Sequence, residues 1–390
     1  MEKRKNLLLI GAVYIVLIVL FSVAQTHAQV SERKIVVFKP GVSEAVRTDI
    51  SRAYGMHVKH LPLINGEVVM VGGRALRDIE HDPNVLRVDD DLIVETFAKS
   101  NVVTTLSETL PWGVDKIDAE LAWNYASTAP RIKIGIIDTG IDLTHPDLKA
   151  NIKGGVNTIS SRFGYADDNG HGTHVAGIIG AVHNTIGVAG VDPRADLYAI
   201  KALGRNGSGY FSDIIEGLDW AIANNIQVVN MSLGAPSGNQ SLADAITRAH
   251  NAGIVLVAAA GNESGAVSYP AAYPEVIAVS ATDSNDIFAT FSNFGPEVAV
   301  SAPGVNVYST YKGGKYATMS GTSMATPHVV GVAALVLSKP ITSQYDANTD
   351  GIWQPEEVLK KMEDTSTDLG VPGFDNYYGY GRVNALAAIQ

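Results

Sequence analysis

The 390-residue sequence predicts two folded units, a large α/β domain with a mainly parallel sheet flanked by helices and, before it, a small α+β domain. Three observations carry this reading. Apolar stretches of strand length, IKIGII (132–137), DLYAIKAL (196–203), IQVVNMSL (226–233), IVLVAAA (254–260) and VIAVSA (276–281), recur through the second part. They are separated by segments of helical periodicity such as FSDIIEGLDWAIANN and SLADAITRAHNAG. Strands apolar on both faces belong to a parallel sheet covered by helices on each side. The charge also breaks along the chain: residues 1–97 carry 12 basic and 12 acidic side chains and residues 98–390 carry 17 and 28, so the whole net charge of −11 lies in the second part.

In chain order, Lys3, Arg4 and Lys5 precede an uncharged stretch from Leu7 to Ala24 and small residues at Ala24 and Ala28, the pattern of an export signal peptide over residues 1–28. Cleavage after Ala24 and after Ala28 fit equally. Retention as a membrane anchor is the alternative, since about 18 apolar residues can just span a bilayer. From Lys34 to about Glu95 a strand-like KIVVF, a helix near Ser43–Tyr54, strands between His57 and Val71, a helix near Ala75–His81 and a final VLRVDDDLIVE give β-α-β-β-α-β, a small ferredoxin-like order. The polar stretch Ser100–Thr109 reads as a linker, and the large domain occupies 111–390.

Composition excludes several function classes. A pI near 5.3 removes the basic footprint of a nucleic-acid binder. The absence of cysteine excludes disulfides, zinc–thiolate centres and cysteine nucleophiles.

In a parallel sheet, function is sought where the strands end. Asp138 follows IKIGII directly, a place too apolar to hold a carboxylate without a partner. In DDNGHGTHVAG, His171 stands at the end of a Gly-rich loop where a small-residue helix begins, with His174 three residues on; no H-E-x-x-H glutamate accompanies them, which argues against a metal there. Ser323 opens a helix apolar nearly all round, and Asn262 follows IVLVAAAG. Each alone could be a cap or a turn residue. Their joint occurrence at the ends of one sheet's elements fits acyl transfer: a serine hydroxyl needs an imidazole to take its proton, the imidazole needs a carboxylate, and the oxyanion needs fixed donors.

With D-T-G, H-G-T-H-V-A-G and G-T-S-M-A-T-P in that order, residues 111–390 resemble the subtilisin family of serine proteases. The resemblance implies a serine endopeptidase with Asp138 orienting the base, His171 as the base, Ser323 as the nucleophile and Asn262 as the oxyanion donor. It implies an extended peptide bound beside Leu203–Gly209, Gly207, Ser208 and Gly209 above all, and beside Ser232, Leu233 and Gly234. The pocket for the residue before the scissile bond would be lined by Ala259, Ala260 and Gly261, with Ser268 a further candidate. Small walls and no obvious acid at the base favour an apolar or aromatic residue. An esterase of the α/β-hydrolase type would need G-x-S-x-G, which is absent, and a catalytic histidine after Ser323, leaving His328 alone. An inactive binding homologue is the other alternative, against which stands the retention of every catalytic residue type.

Residues 346–357 fit D-x-[DN]-x-[DN]-G-x₅-E at each specified position, so Asp346, Asn348, Asp350, the Ile352 carbonyl and Glu357 are expected to hold calcium. A second calcium site is implied by the family resemblance alone, at Glu108, Asp147, Asn184 and the carbonyls of Val182, Ile186 and Val188. The resemblance further makes residues 31–97 an inhibitor-like propeptide that assists folding and lies with its tail in the cleft, with processing between Phe97 and Ser107 in the linker region 98–110. The expected product is a secreted, calcium-stabilised monomer acting on proteins and peptides.

Overall fold

The structure, a computed structural model, describes residues 31–103, 107–126 and 129–390; the leader therefore lies outside the described residues. Among the described residues no helix is long and apolar enough to cross a membrane.

The chain divides into two compact units, residues 31–60 with 66–88, and residues 61–65 with 89–390. The smaller runs β1 (Glu32–Phe38), α1 (Glu44–Tyr54), β2 (Met56–Leu61), β3 (Gly66–Val71), α2 (Gly73–Glu80) and β4 (Val85–Asp90), in sheet order β2-β3-β1-β4. Val36, Phe38, Val69, Val71 and Ile79 form its core. Ser43 caps α1 by accepting from the Val46 amide.

The larger unit begins with β5 (Ile93–Thr96) and β6 (Lys99–Val103), then α3 (Trp112–Lys116) and α4 (Ala119–Ala126). The stretch read as a linker thus carries β6, which pairs antiparallel with β17 (Lys315–Ser320). The main sheet has seven strands: β7 (Lys133–Asp138), β8 (Ile152–Asn157), β9 (Asp196–Lys201), β11 (Val228–Met231), β13 (Val255–Ala259), β14 (Val276–Thr282) and β15 (Val298–Pro303). Short strands β10 (Ser208–Tyr210) and β12 (Leu233–Gly234) lie beside β5, and β16 (Val307–Tyr311) pairs with β17. The helices are α5 (His171–Gly180), α6 (Phe211–Ala223), α7 (Gln240–Asn251), α8 (Thr322–Leu337), α9 (Pro355–Thr365) and α10 (Ala385–Ala388).

The sheet order is β15-β14-β13-β11-β7-β9-β8, with every recorded neighbour pair parallel. After β7 the chain lays down β8 and β9 on one side, then returns to build β11 onward on the other. That reversal, between β7 and β11, is where an open α/β sheet leaves a crevice at its carboxyl ends. Helix α8 has no polar face to present: it is buried from Thr322 to Val336 and packs against β11, β13, β14 and β15. Its first turn is thereby delivered to the same crevice.

Candidate active site

Four elements place polar groups at this edge. Asp138 ends β7 fully buried, and the Thr139 amide donates to its Oδ1 at 2.7 Å. His171, the first residue of α5, brings Nδ1 within 2.8 and 2.9 Å of the two Asp138 oxygens. The approach depends on the following glycine, because a Cβ on Gly172 would fall 2.2 Å from the Gly140 carbonyl and 3.0 Å from Asp138 Oδ1. The loop before α5 is fixed by Asp167, which accepts from Thr139 Oγ1, the Asn169 and Gly170 amides, and the amide and hydroxyl of Thr173. Lys201, at the end of β9 and buried, ties the same region by donating to Thr139 O and Asp168 Oδ1, each at 2.7 Å. Neither Asp167 nor Lys201 stood out in the sequence, where each is one charge among many. His174 stays outside the constellation: it is fully buried against Ala317 O, and burial pushes its pKa down to about 3, so the ring is neutral.

Ser323, in the first turn of α8, is buried. Its Oγ donates to the Ser232 carbonyl at 3.0 Å, and Ser232 Oγ donates in return to Ser323 O at 2.9 Å. His171 Nε2 is buried and has no hydrogen-bond partner. The serine hydroxyl is thus turned to the Ser232 carbonyl and not to the imidazole, although both groups lie at the same edge. Asn262 is oriented by Thr322, whose amide and hydroxyl both donate to its Oδ1 at 2.9 Å.

The chain's own segment 93–97 fills the cleft. Strand β5 lies between β10 and β12, antiparallel to both, with Glu95 opposite Ser208 and Gly234, and Thr96 opposite Leu233. These are backbone segments named from the sequence, joined by Gly207, whose carbonyl accepts from the Thr96 amide at 3.0 Å. At the end of this strand Asn262 Nδ2 donates to the Phe97 carbonyl at 3.0 Å, and the Phe97 amide lies 3.3 Å from Ser323 Oγ. The Phe97 ring passes so close to Gly234 that a Cβ there would meet it at 2.6 Å. A cleft of about 620 Å³ flanks this ring, lined in part by Gly265, Val267 and Ser268. Ala259 and Ala260 are fully buried at the end of β13. Contrary to the sequence expectation of a pocket without an acid, Glu263 lines the cleft, its Oε2 accepting from Asn293 Nδ2 at 2.8 Å and from the Asn262 amide at 2.9 Å.

Residues 130–381 match the Peptidase_S8 model of the subtilase family. The chain belongs to the subtilase family. This subtilase is 43% identical over 380 residues to a thermostable alkaline protease of Halalkalibacterium halodurans, spanning 96% of this chain and 97% of that protein. It is 42% identical to subtilisin E of Bacillus subtilis over 92% of this chain and 91% of that protein, and 44% identical to M-protease of Shouchella clausii over 80% and 76%. The subtilase is accordingly a serine endopeptidase.

Two oxygen-rich loops have donor sets suited to a hard cation. Asp147, fully buried, accepts from Asn184 Nδ2, the Val188 amide and Tyr316 Oη at 2.8–3.0 Å, and among the described residues no lysine or arginine pairs with it. Glu108 Oε1 accepts from the Asn184 amide at 2.6 Å, so the segment before α3 is held on the 182–188 loop. In the second loop Asp346 accepts from the Asp350 and Gly351 amides, Asp350 from the Ile352 amide, and Asn348 from the Asp350 amide. Gly351 takes φ +75°, the left-handed conformation its turn requires. Glu357 reaches back from α9 to the Ala347 amide at 2.9 Å and the Gln354 amide at 2.8 Å. Carboxylate and amide oxygens of this kind are the donors that calcium takes.

Proposed function

We propose that this subtilase is an exported, self-processing zymogen whose Asp138, His171 and Ser323 form the catalytic triad, with Asn262 in the oxyanion hole, and which cuts its own Phe97–Ala98 bond. The observation that carries this reading is the Phe97 carbonyl, 3.0 Å from Asn262 Nδ2 at the end of a strand added between β10 and β12. A substrate held by backbone pairing on both sides presents one carbonyl to one donor, which is how positioning lowers the barrier.

Rotation of Ser323 Oγ away from the Ser232 carbonyl brings it toward His171 Nε2, the nitrogen left without a partner. The imidazole takes the hydroxyl proton as Oγ bonds to the Phe97 carbonyl carbon. Asp138, on Nδ1, keeps the tautomer and stabilises the imidazolium. Negative charge on the former carbonyl oxygen is met by Asn262 Nδ2 and the Ser323 amide. The C–N bond then breaks, the imidazolium gives its proton to the Ala98 nitrogen, and water releases Phe97 from the serine ester by the reverse path. Once cut, residues 93–97 remain paired in the cleft as a product, which accounts for inhibition by the segment 31–97. The Phe97 ring beside Gly234 supports an aromatic preference before the scissile bond.

Glu108, Asp147, Asn184 and the carbonyls of Val182, Ile186 and Val188 would hold one calcium ion, and Asp346, Asn348, Asp350, the Ile352 carbonyl and Glu357 another. Calcium there neutralises clustered carboxylates and cross-links each loop, in a chain with no cysteine for disulfides. Export by residues 1–28 and action as a monomer outside the cell complete the reading.

The test is N-terminal sequencing of purified product beside the Ser323→Ala chain, each treated with a fluorophosphonate label. The parent should begin at Ala98 and label, while Ser323→Ala stays uncut and silent. Processing of Ser323→Ala at the parental rate in a protease-free preparation, or a parent that does not label, refutes the assignment.

A further inference from the structure

The smaller unit holds a cluster that no step above uses. From β2, His57 and His60 both bring their rings to Glu67 on the neighbouring strand β3, with ring centroids 4.5 Å apart. Glu67 is fully buried and its carboxylate is divided: Oε1 faces Arg47 Nε at 3.4 Å, and Oε2 meets His57 Nε2 at 2.9 Å and His60 Nδ1 at 2.7 Å. Arg47 and His57 already give this carboxylate the charge partner and hydrogen bonds that burial demands.

His60 is surplus to that need, and its contact has the wrong geometry for a hydrogen bond. Nδ1 is buried without a hydrogen-bond partner although a carboxylate oxygen is 2.7 Å away. Two electron-rich atoms at that distance, with no proton aimed between them, repel each other. A cation bound by both removes the conflict, since a neutral imidazole nitrogen and a carboxylate oxygen are both donors to the same ion.

We propose that His57, His60 and Glu67 bind one divalent transition-metal ion of the zinc type. Two imidazoles and a carboxylate form a three-ligand zinc set, with water as the fourth ligand. The three ligand atoms lie within 4.8 Å of one another. Tetrahedral bonds of about 2.0–2.2 Å separate ligand atoms by roughly 3.3–3.6 Å, so His60 Nδ1 has to draw away from Glu67 Oε2 by less than an ångström. Its side chain is 41% exposed, which allows that movement and gives the ion an entry path. Arg47 on the second carboxylate oxygen keeps Glu67 oriented. The imidazoles select against calcium, which takes oxygen ligands, so this site is chemically separate from the two calcium loops. The ion would fasten the edge strand β2 to β3 and make the stability of the smaller unit depend on metal supply.

The test uses the full-length Ser323→Ala chain, with its intact mass verified, in excess calcium to fill the oxygen sites, titrated calorimetrically with zinc chloride. One zinc per chain should bind, with affinity at least about 10-fold weaker in His60→Gln and in His57→Gln, since loss of a ligand costs no less than loss of an outer-shell partner. Zinc should raise the melting temperature of the parent and leave that of His60→Gln unchanged; the half-exposed His60 can be replaced without emptying a core. Absence of stoichiometric zinc binding to the parent, or equal affinity in parent and His60→Gln, overturns the proposal.

Discussion

Lowering the pH from 8 to 5 should remove about 3 kcal/mol of folding stability through three buried groups that take no part in the chemistry. His174 on α5 and His328 on α8 are fully buried. Each meets one carbonyl, His174 Nε2 at 3.0 Å from Ala317 O and His328 Nδ1 at 2.8 Å from Met324 O, and each leaves its other nitrogen buried without a partner. Burial therefore resists the imidazolium form and lowers the pKa from 6.5 to about 3 for His174 and about 4 for His328. The unfolded chain takes up these protons near pH 6.5 and the folded chain does not, so the stability is complete above 6.5 and is lost as the pH falls. At about 1.36 kcal/mol per pH unit, the fall from 6.5 to 5 costs about 2 kcal/mol for each ring. Asp192 opposes this: burial lifts its carboxyl to about 6, so its protonation between pH 6 and 5 returns about 1 kcal/mol. The assay is urea unfolding of the uncut Ser323→Ala chain in saturating calcium from pH 8 to 5, beside the same chain carrying His328→Asn. The added substitution should shrink the acid loss by about 2 kcal/mol, whatever it does to stability at pH 8. Parallel pH curves for the two proteins would refute the assignment of the loss to this ring.

Replacing Asn262 by Ala should slow self-cleavage by about 10²–10³, a magnitude established in subtilisins for an oxyanion-hole donor, and a change under threefold in the precursor-to-product time course would remove it from the mechanism. Phe97→Asp places a carboxylate beside Glu263, which lines the same cleft, and should slow processing at least tenfold in the same time course; processing at the parental rate would show that the Phe97 side chain does not direct the cut. Glu357→Gln keeps a side chain able to cap α9 but removes the charge at the last ligand position of the 346–357 loop. Its melting temperature in chelator should stay near the parent's, while the rise on adding calcium should shrink by the equivalent of about 2.7 kcal/mol at 100 times the dissociation constant. An undiminished calcium response would exclude this loop as a site.

How much of this was legible in the sequence depended on how local the determining interaction is. Strands β7, β9, β11, β13 and β14 announce themselves as unbroken apolar stretches. Strand β8 does not, because IKGGVN carries a lysine and two glycines and forms only as the outer neighbour of β9. The 346–357 loop was readable because its proposed ligands, turn glycine and capping glutamate occupy twelve consecutive positions and hydrogen-bond inside that stretch. The catalytic residue types were readable as motifs, but not the state of the serine, whose hydroxyl direction is set by Ser232, 91 residues earlier. Nor was Glu263 readable as a cleft acid, since Asn293 holds its carboxylate there. The His57–His60–Glu67 cluster marks the limit of periodic reasoning. Alternation puts residues three apart on opposite faces of a strand, which dismisses a pair of histidines at that spacing, yet both rings reach one buried carboxylate on the next strand. A pattern rule describes the average strand, whereas near the end of an edge strand the side chain follows its strongest local partner, and here that partner is an anion in a core.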